Sequence, residues 1–435
     1  MRHFHFAFAL LILAASLGRA QQAATQGGQT TPSGSQPARA PAPSKLITLD
    51  EAITLALENS PGIKATRTQI QQNQAQEITA NLRPNPVLSG DTQFIPFFNP
   101  SQFSNDVEQY DIGLGYTFER GGKRKKRLQA ARNQTAVTRS QVADAERALN
   151  FNVAQQFINV LLAKSNLQQA EENLSSFQQT VDISELRYKA GDISEGDYLK
   201  IKLQLLQFQT DVSSARVAKV QALGSLRQLI GYAAVPRDYD VAGDLDYQPL
   251  TARLEDLQAK ALSQRPDLRA AQQGIVAAKS QVALAKANGK QDVNLTGNYS
   301  HTPGLSSASW FVSIPLPIFD RNQGEIARTK FSLTQAELTE KAGQDVVMTD
   351  VANAYEATAT NQEVVQLYRS GYLKQAQDSR DISLYAYKGG AATLLDFLDA
   401  ERSYRATELA YRQALAAYML SLEQLRQAVG TRSLP

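Results

Sequence analysis

The 435 residues carry 45 Lys and Arg against 42 Asp and Glu, a formal net charge of +3, with three histidines and no cysteine. A balance this near neutral gives no electrostatic reason to expect nucleic acid. Without cysteine there is no disulfide, no lipid on a cysteine and no Cys/His metal cluster, and no glycine-rich phosphate loop or serine–histidine pairing points to a hydrolytic or nucleotide-driven enzyme. No metal site and no cofactor are therefore expected.

The chain opens with Arg2 and His3, an apolar run from Phe4 to Leu17 and the small-x-small exit Gly18-Arg19-Ala20. This is the pattern of a secretory signal peptide over 1–20, its apolar run being shorter than the roughly 20 residues of a spanning helix. Losing Arg2 and Arg19 with it lowers the charge from +3 to +1 and leaves His301 as the remaining histidine, read as an incidental loop residue near Pro303-Gly304. Residues 21–45, rich in Gln, Thr, Pro, Ser, Gly and Ala, have too little apolar surface to offset ordering entropy and read as a disordered linker.

A helix is expected over 49–82, with Thr48 and Glu51 in capping-box spacing. A strand pair follows. Leu88, Thr92 and Phe94 alternate weakly with Ser89, Asp91 and Gln93, and Ile112, Leu114, Tyr116 and Phe118 alternate with Asp111, Gly113, Gly115 and Thr117. A very long helix over 122–188, a glycine-containing turn and a last helix over 194–230 complete the unit. Tyr198, Ile201, Leu205, Phe208 and Val212 step by three and four along that last helix, a coiled-coil seam. Residues 232–253, with Pro236 and Pro249, read as an irregular linker.

The same order then recurs. Leu49, Ala56, Leu57, Pro61 and Ile70 match Leu254, Ala261, Leu262, Pro266 and Ile275; Tyr188, Gly191, Asp197 and Leu199 match Tyr387, Gly390, Asp396 and Leu398. The chain is thus read as two repeats, 46–231 and 254–431. The second contains helices over 254–288, 323–387 and 393–429. Its strands are marked by Val293, Leu295 and Tyr299, then by Trp310, Val312, Ile314, Leu316 and Ile318.

A helix of about 65 residues runs roughly 100 Å, beyond any globular domain. Each strand is about ten residues, the length that crosses a bilayer when tilted, and one face of each is apolar. Val293, Leu295, Trp310, Val312 and Ile314 are read as lipid-facing, while Pro96, Pro315 and Pro317 belong near strand ends because they cannot donate to a ladder. Four strands cannot close a barrel, and open edges in lipid cost several kcal/mol per orphan group. The chain must assemble: two copies would give eight strands, three would give twelve and an open lumen.

Several stretches carry a family resemblance: Arg83-Pro84-Asn85-Pro86, Gly121-Gly122-Lys123-Arg124, Arg187-Tyr188-Lys189-Ala190-Gly191-Asp192-Ile193-Ser194 and the run from Ile314 through Asp320-Arg321-Asn322-Gln323 to Glu325. With the duplicated unit, the chain over about 46–431 resembles the TolC family of outer-membrane efflux proteins, and within it the CzcC-like branch of heavy-metal efflux components. The resemblance implies a homotrimer with a 12-stranded β-barrel in outer-membrane lipid, continuous with a helical tunnel through the periplasm. It implies docking to a periplasmic adaptor (membrane-fusion) protein and an inner-membrane pump of the RND type. The cargo, heavy-metal cations or drugs, would be chosen by the pump.

The resemblance also implies roles for the two helix–helix turns, which form the periplasmic tip in the family. Asp396 and Asp399 match an aspartate ring at the constriction, and Asp197 and Tyr387 match a pair linking neighbouring helices in the closed state. Tyr188, Gly191, Ile193, Ser194, Gly389, Gly390 and Thr393 would form the adaptor-docking tip. Ala392 departs from the family pattern, where an arginine helps lock the entrance. The residues themselves leave another reading open: Ser194-x-x-Asp197 and Thr393-x-x-Asp396 are capping boxes. Gly191, Gly389 and Gly390 are expected to supply backbone freedom for the reversals.

The densest charge run, Lys123-Arg124-Lys125-Lys126-Arg127, opposes the helix dipole at a helix start; anionic headgroups of the inner leaflet or plain solvent would offset it. The alternative to a duct is a periplasmic coiled-coil adaptor or scaffold, which would lack this duplication and would not need detergent for release.

Overall fold

The computed structural model describes residues 45–93 and 109–433. The expected signal segment, the tail up to Ser44, and Phe94 and Pro96 lie outside the described residues.

After a two-residue strand β1 (Leu46–Ile47), the first long unit is α1 (Leu49–Asn59), α2 (Pro61–Asn81), β2 (Val87–Gln93), β3 (Gln109–Phe118), α3 (Lys123–Ala190) and α4 (Glu195–Ile230). A short strand β4 (Asp240–Val241) follows. The order then recurs as α5 (Leu254–Gln264), α6 (Pro266–Asn288), β5 (Val293–Thr302), β6 (Leu305–Ser313), α7 (Gln323–Leu367), a π-helical turn (Tyr368–Tyr372), α8 (Leu373–Lys388) and α9 (Leu394–Val429).

The opening helix of each copy is two helices, not one. The residue before a proline is pushed out of the helical region, and Ser60 and Arg265 both stand there with ψ near 120°. Pro61 and Pro266 then start the next helix at a position that needs no N–H donor. Thr48 caps α1 by accepting from the Glu51 N–H at 3.3 Å, while Glu51 pairs with Lys45.

The long helices differ between copies. α3 is continuous over 68 residues, about 100 Å at the usual rise. Its counterpart is interrupted at Tyr368–Tyr372, where Gly371 has φ 137°, a value that strains any residue with a Cβ. Both helices leave a left-handed residue, Gly122 (φ 69°) in the first and Asn322 (φ 61°) in the second. Asparagine tolerates that conformation, and the Asn322 side-chain amide donates to the Ala285 carbonyl at 2.7 Å.

Two equivalent cores hold these helices. Ala52, Ile53 and Ala56 pack on Val153, Phe157 and Val160 and on Leu226 and Ile230; Leu257, Ala261 and Leu268 pack on Val347, Val351 and Ala354 and on Leu425 and Val429. The 232–253 connection is more ordered than its composition suggests. β4 pairs in parallel with β1, and Val235, Tyr239 and Val241 are buried in the first core. Tyr239 donates to the Leu223 carbonyl at 2.6 Å, and burial pushes its hydroxyl up to about 12. The far half of the strap meets the second copy, where the Tyr418 hydroxyl donates to the Gln248 carbonyl.

The second core depends on one buried cation. Arg265 is 4% exposed and reaches Asp267 at 2.6 Å, Asp350 at 2.9 Å and the Ala428 carbonyl at 3.2 Å. It ties the α5–α6 break to α7 and to the end of α9. Arg265→Ala strands two half-exposed carboxylates and an acceptor, so it should cost roughly 2–4 kcal/mol. A chemical-denaturation midpoint in detergent that does not move would refute the role.

Candidate functional site

Two regions carry the chain's unusual chemistry, and α3 spans from one to the other. At its start lies a four-stranded antiparallel sheet of order β2-β3-β5-β6, so the two hairpins join through β3 and β5. Phe118 faces Val293, Tyr116 faces Leu295 and Ile112 faces Tyr299; Leu295 faces Val312 and Leu88 faces Leu114. Side chains paired across strands share a face. Most of the apolar residues of the four strands therefore fall on one surface, and Leu88, Ile112, Leu114, Trp310 and Val312 on it are all more than half exposed. Gly297 makes room for Trp310: a Cβ would stand 2.8 Å from the ring that lies over it, and the ring would have to shift.

The opposite face holds Ser89, Asp91, Asp111, Thr117, Asn294, Thr296, Asn298 and Ser309. Thr117 donates to the Asn294 side chain at 2.7 Å. Val87, Leu305 and Phe311 are apolar exceptions on this face. The expected strand through Ile318 stops earlier. β6 ends at Ser313, because Pro315 and Pro317 lack donors, and Ile314 lies one residue beyond it.

At the other end of α3 are the two helix reversals. Gly191 (φ 83°) closes α3, with its N–H on the Tyr188 carbonyl and that of Asp192 on Arg187. Gly390 (φ 75°) does the same after α8. Gly389, expected to lend similar freedom, is right-handed at φ −81°, which any residue adopts. Ser194 and Thr393 cap the returning helices.

The carboxylates divide. Asp396 completes a capping box: its oxygen accepts from the Thr393 N–H at 3.0 Å and from the Thr393 hydroxyl at 2.6 Å. These bonds hold its carboxyl below the ordinary range. Asp197 accepts from the Ser194 hydroxyl at 3.0 Å and from Lys200 at 3.3 Å. Asp399 takes no part in capping; it is 78% exposed, with Arg402 at 3.8 Å.

Within the chain Asp197 and Tyr387 are not hydrogen-bonded to each other. Tyr387 is buried, its ring stacked on Phe397 at 5.7 Å, and its hydroxyl has no hydrogen-bond partner. Phe177, Phe208 and Phe397 continue this aromatic stack between the two copies. Tyr188 stacks on Tyr198 at 5.0 Å, and Ile193 is half-buried beside the first turn. The residue that joins the two turns is Arg187, which the sequence reading passed over. It donates to the Tyr387 carbonyl at 3.0 Å and sits 5.4 Å from the Tyr387 ring centre. The signal was present as an asymmetry: the matching residue of the second copy is Ala386.

Two buried acids lie along α9, and Glu423 is paired with Arg426. Glu401 is 8% exposed, and among the described residues it enters neither a hydrogen bond nor an ion pair. Burial pushes its carboxyl up, while Arg380 and Arg405 pull it back in part.

The sequence matches the Outer membrane efflux protein family over residues 52–232 and again over 257–431, and the chain belongs to that family. It is an outer-membrane efflux protein, and the adaptor alternative is set aside. It is 26% identical over 374 residues to the cation efflux system protein CusC of Escherichia coli O157:H7, covering 82% of this chain and 80% of that one. It is 24% identical over 390 residues to the cobalt-zinc-cadmium resistance protein CzcC of Cupriavidus metallidurans, covering 88% of both. The fold superposes on a crystal structure of CusC with a TM-score of 0.74, at 21% identity, over 92% of this chain and 99% of that one.

Two tests follow from this geometry. A cation on the apolar face near mid-membrane costs about 2–4 kcal/mol. Leu295→Arg and Val312→Arg should therefore deplete the protein from outer-membrane fractions, while Thr296→Arg on the polar face should not. Equal depletion from both rows would contradict the facing. For Glu401, a raised folded-state pKa means that folded protein keeps a proton the unfolded chain releases above about 4.5. Its contribution is present below 4.5 and is lost as pH rises through the raised value. Glu401→Gln should therefore stabilise the protein near neutral pH relative to wild type and lose that advantage in acid, read by thermal unfolding at both pH values.

Proposed function

We propose that the chain is the outer-membrane duct of a tripartite efflux system, a homotrimer carrying heavy-metal cations from an inner-membrane pump and a periplasmic adaptor to the exterior. The observation that carries this reading is the four-stranded sheet with one apolar face and two open edges, β2 and β6, among the described residues. Open edges are not tolerated in lipid, and three copies close twelve strands around a lumen lined by the Asn, Thr and Ser face. The two repeats, 46–231 and 254–431, then contribute two hairpins and two coiled-coil pairs per copy. The names of CusC and CzcC, a cation efflux protein and a cobalt-zinc-cadmium resistance protein, support metal cations as cargo.

In this assembly the two turns form the periplasmic tip, and Asp399 and Asp396 repeat around the axis. Clustered carboxylates attract cations, polyvalent ones most strongly. Asp396 serves as cap and charge at once, so its replacement also loosens the start of α9. Asp399 has no such duty, and Arg402 beside it tempers its charge. Tyr188, Gly191, Ile193, Ser194, Gly389, Gly390 and Thr393 form the surface offered to the adaptor, while Asp197 and Tyr387 hold neighbouring helices closed.

Planar-bilayer recording tests this. Asp399→Ala should weaken cation selectivity and block by trivalent cations from the periplasmic side, with the trimer intact. Arg402→Ala should strengthen both, because it unmasks the same carboxylate. If neither property shifts in either variant, the constriction lies elsewhere.

A further inference from the structure

The basic run at the start of α3 separates into two kinds of residue. Lys123 and Arg127 lie one turn apart and are consumed by the fold. Lys123 pairs with Asp292 at 2.7 Å, and Arg127 pairs with Glu119 and donates to the Leu82 carbonyl at 3.0 Å. They weld the first turn of α3 to the start of β5, the end of β3 and the end of α2. Arg124, Lys125 and Lys126 enter no ion pair or hydrogen bond through their side chains among the described residues, and neither do Arg83 or the guanidinium of Arg120. Arg83, Arg120, Lys125 and Lys126 are exposed and Arg124 is half-buried. Positive charge at a helix N-terminus is unfavourable for the helix, so these residues do not serve the fold.

Their neighbourhood identifies what they meet. The ends of β3 and β6 and the beginning of β5 coincide, since Phe118 faces Val293 and Ser313 faces Asn294. From that same edge the chain leaves β6 as Ile314-Pro315-Leu316-Pro317-Ile318-Phe319, outside any strand. There Leu316 is 76% exposed and Phe319 89% exposed. Arg321 donates to the Pro317 carbonyl at 3.1 Å and holds the segment in place. A band of exposed apolar and aromatic groups beside unpaired cations, at the end of a sheet whose face is apolar, has the composition of a membrane–water boundary.

We propose that Arg83, Arg120, Arg124, Lys125 and Lys126, beside the exposed Ile314–Phe319 segment, form a docking surface for anionic phospholipid headgroups. The headgroups belong to the leaflet on the helical side of the sheet. The apolar segment enters the acyl boundary and the cations meet the phosphates just outside it. The surface fixes the depth of the sheet in the bilayer. The proposal rests on the reading that the sheet lies in the membrane.

The test uses the full chain in phosphatidylcholine vesicles with and without phosphatidylglycerol. Flotation with both vesicle types reports the membrane reading by itself. Lipid co-purifying after detergent extraction, counted by mass spectrometry, reports the docking surface. Wild type should enrich phosphatidylglycerol over phosphatidylcholine, more at low salt than at high. Each surface cation is worth roughly fivefold, so Arg124→Gln/Lys125→Gln/Lys126→Gln should lose the enrichment by at least about tenfold while still floating. Floating protein without enrichment, or a triple variant that keeps it, overturns the docking surface alone. Failure to float overturns the membrane reading and the proposal with it. Full competition by millimolar inorganic phosphate assigns the site to free phosphate and also overturns it.

Discussion

Backbone hydrogen bonding in lipid is the constraint from which most of this structure follows. A sheet with an apolar face can sit among acyl chains only if every strand has two neighbours. Here the four strands contributed by the two halves of the chain are already joined through β3 and β5, so one continuous ribbon is offered with an open edge on either side. The ribbon must fill two edges with copies of itself, and the proposed trimer is the arrangement that does so and leaves a lumen. The helices that leave the sheet inherit that arrangement. The first turn of α3 is fixed to the strands by Lys123–Asp292 and Arg127–Glu119, so rotation of the ribbon is transmitted to α3.

The two helix–helix turns use their aspartates differently. Helix N-termini demand acceptors, and Asp396 supplies one to the Thr393 N–H. At the first turn the acceptor is the Ser194 hydroxyl, while the Asp197 carboxylate accepts from that hydroxyl and from Lys200 and completes no capping box. The donors around Asp396 hold its carboxyl below the ordinary range. Asp399, one turn deeper, is free of the capping duty and carries its own counter-ion in Arg402. The two turns are not independent. Arg187 reaches from the first to the carbonyl and ring of Tyr387 at the second, over a stack of Phe177, Phe208 and Phe397. A rearrangement of either turn must break that contact or carry the other along.

Much of the architecture was legible from periodicity. The repeats, the strand alternation and the heptad stripes are local patterns, and local patterns survive in a linear string. The misreadings are also local, and each has a cause visible afterwards. The expected single helices over 49–82 and 254–288 are each split by a proline whose effect falls on the residue before it. β6 ends short of Ile318 because two prolines lack donors. The linker is a strap because Val235, Tyr239 and Val241, three separated apolar residues, find the same core.

The sequence by itself determined the class of the long elements, the recurring order of those elements and the mainly apolar face of the sheet, because those depend on spacing along the chain alone. Tertiary structure decided the charges. Five adjacent basic residues look equivalent as text, yet two are consumed by Asp292 and Glu119, and Asp292 is brought close only when the second hairpin and α3 are folded together. The same holds for buried Arg265, whose partners lie 2 and 85 residues away, and for Arg187, whose partner lies 200 residues away. An ion pair depends on distance in space, which a spacing pattern does not encode.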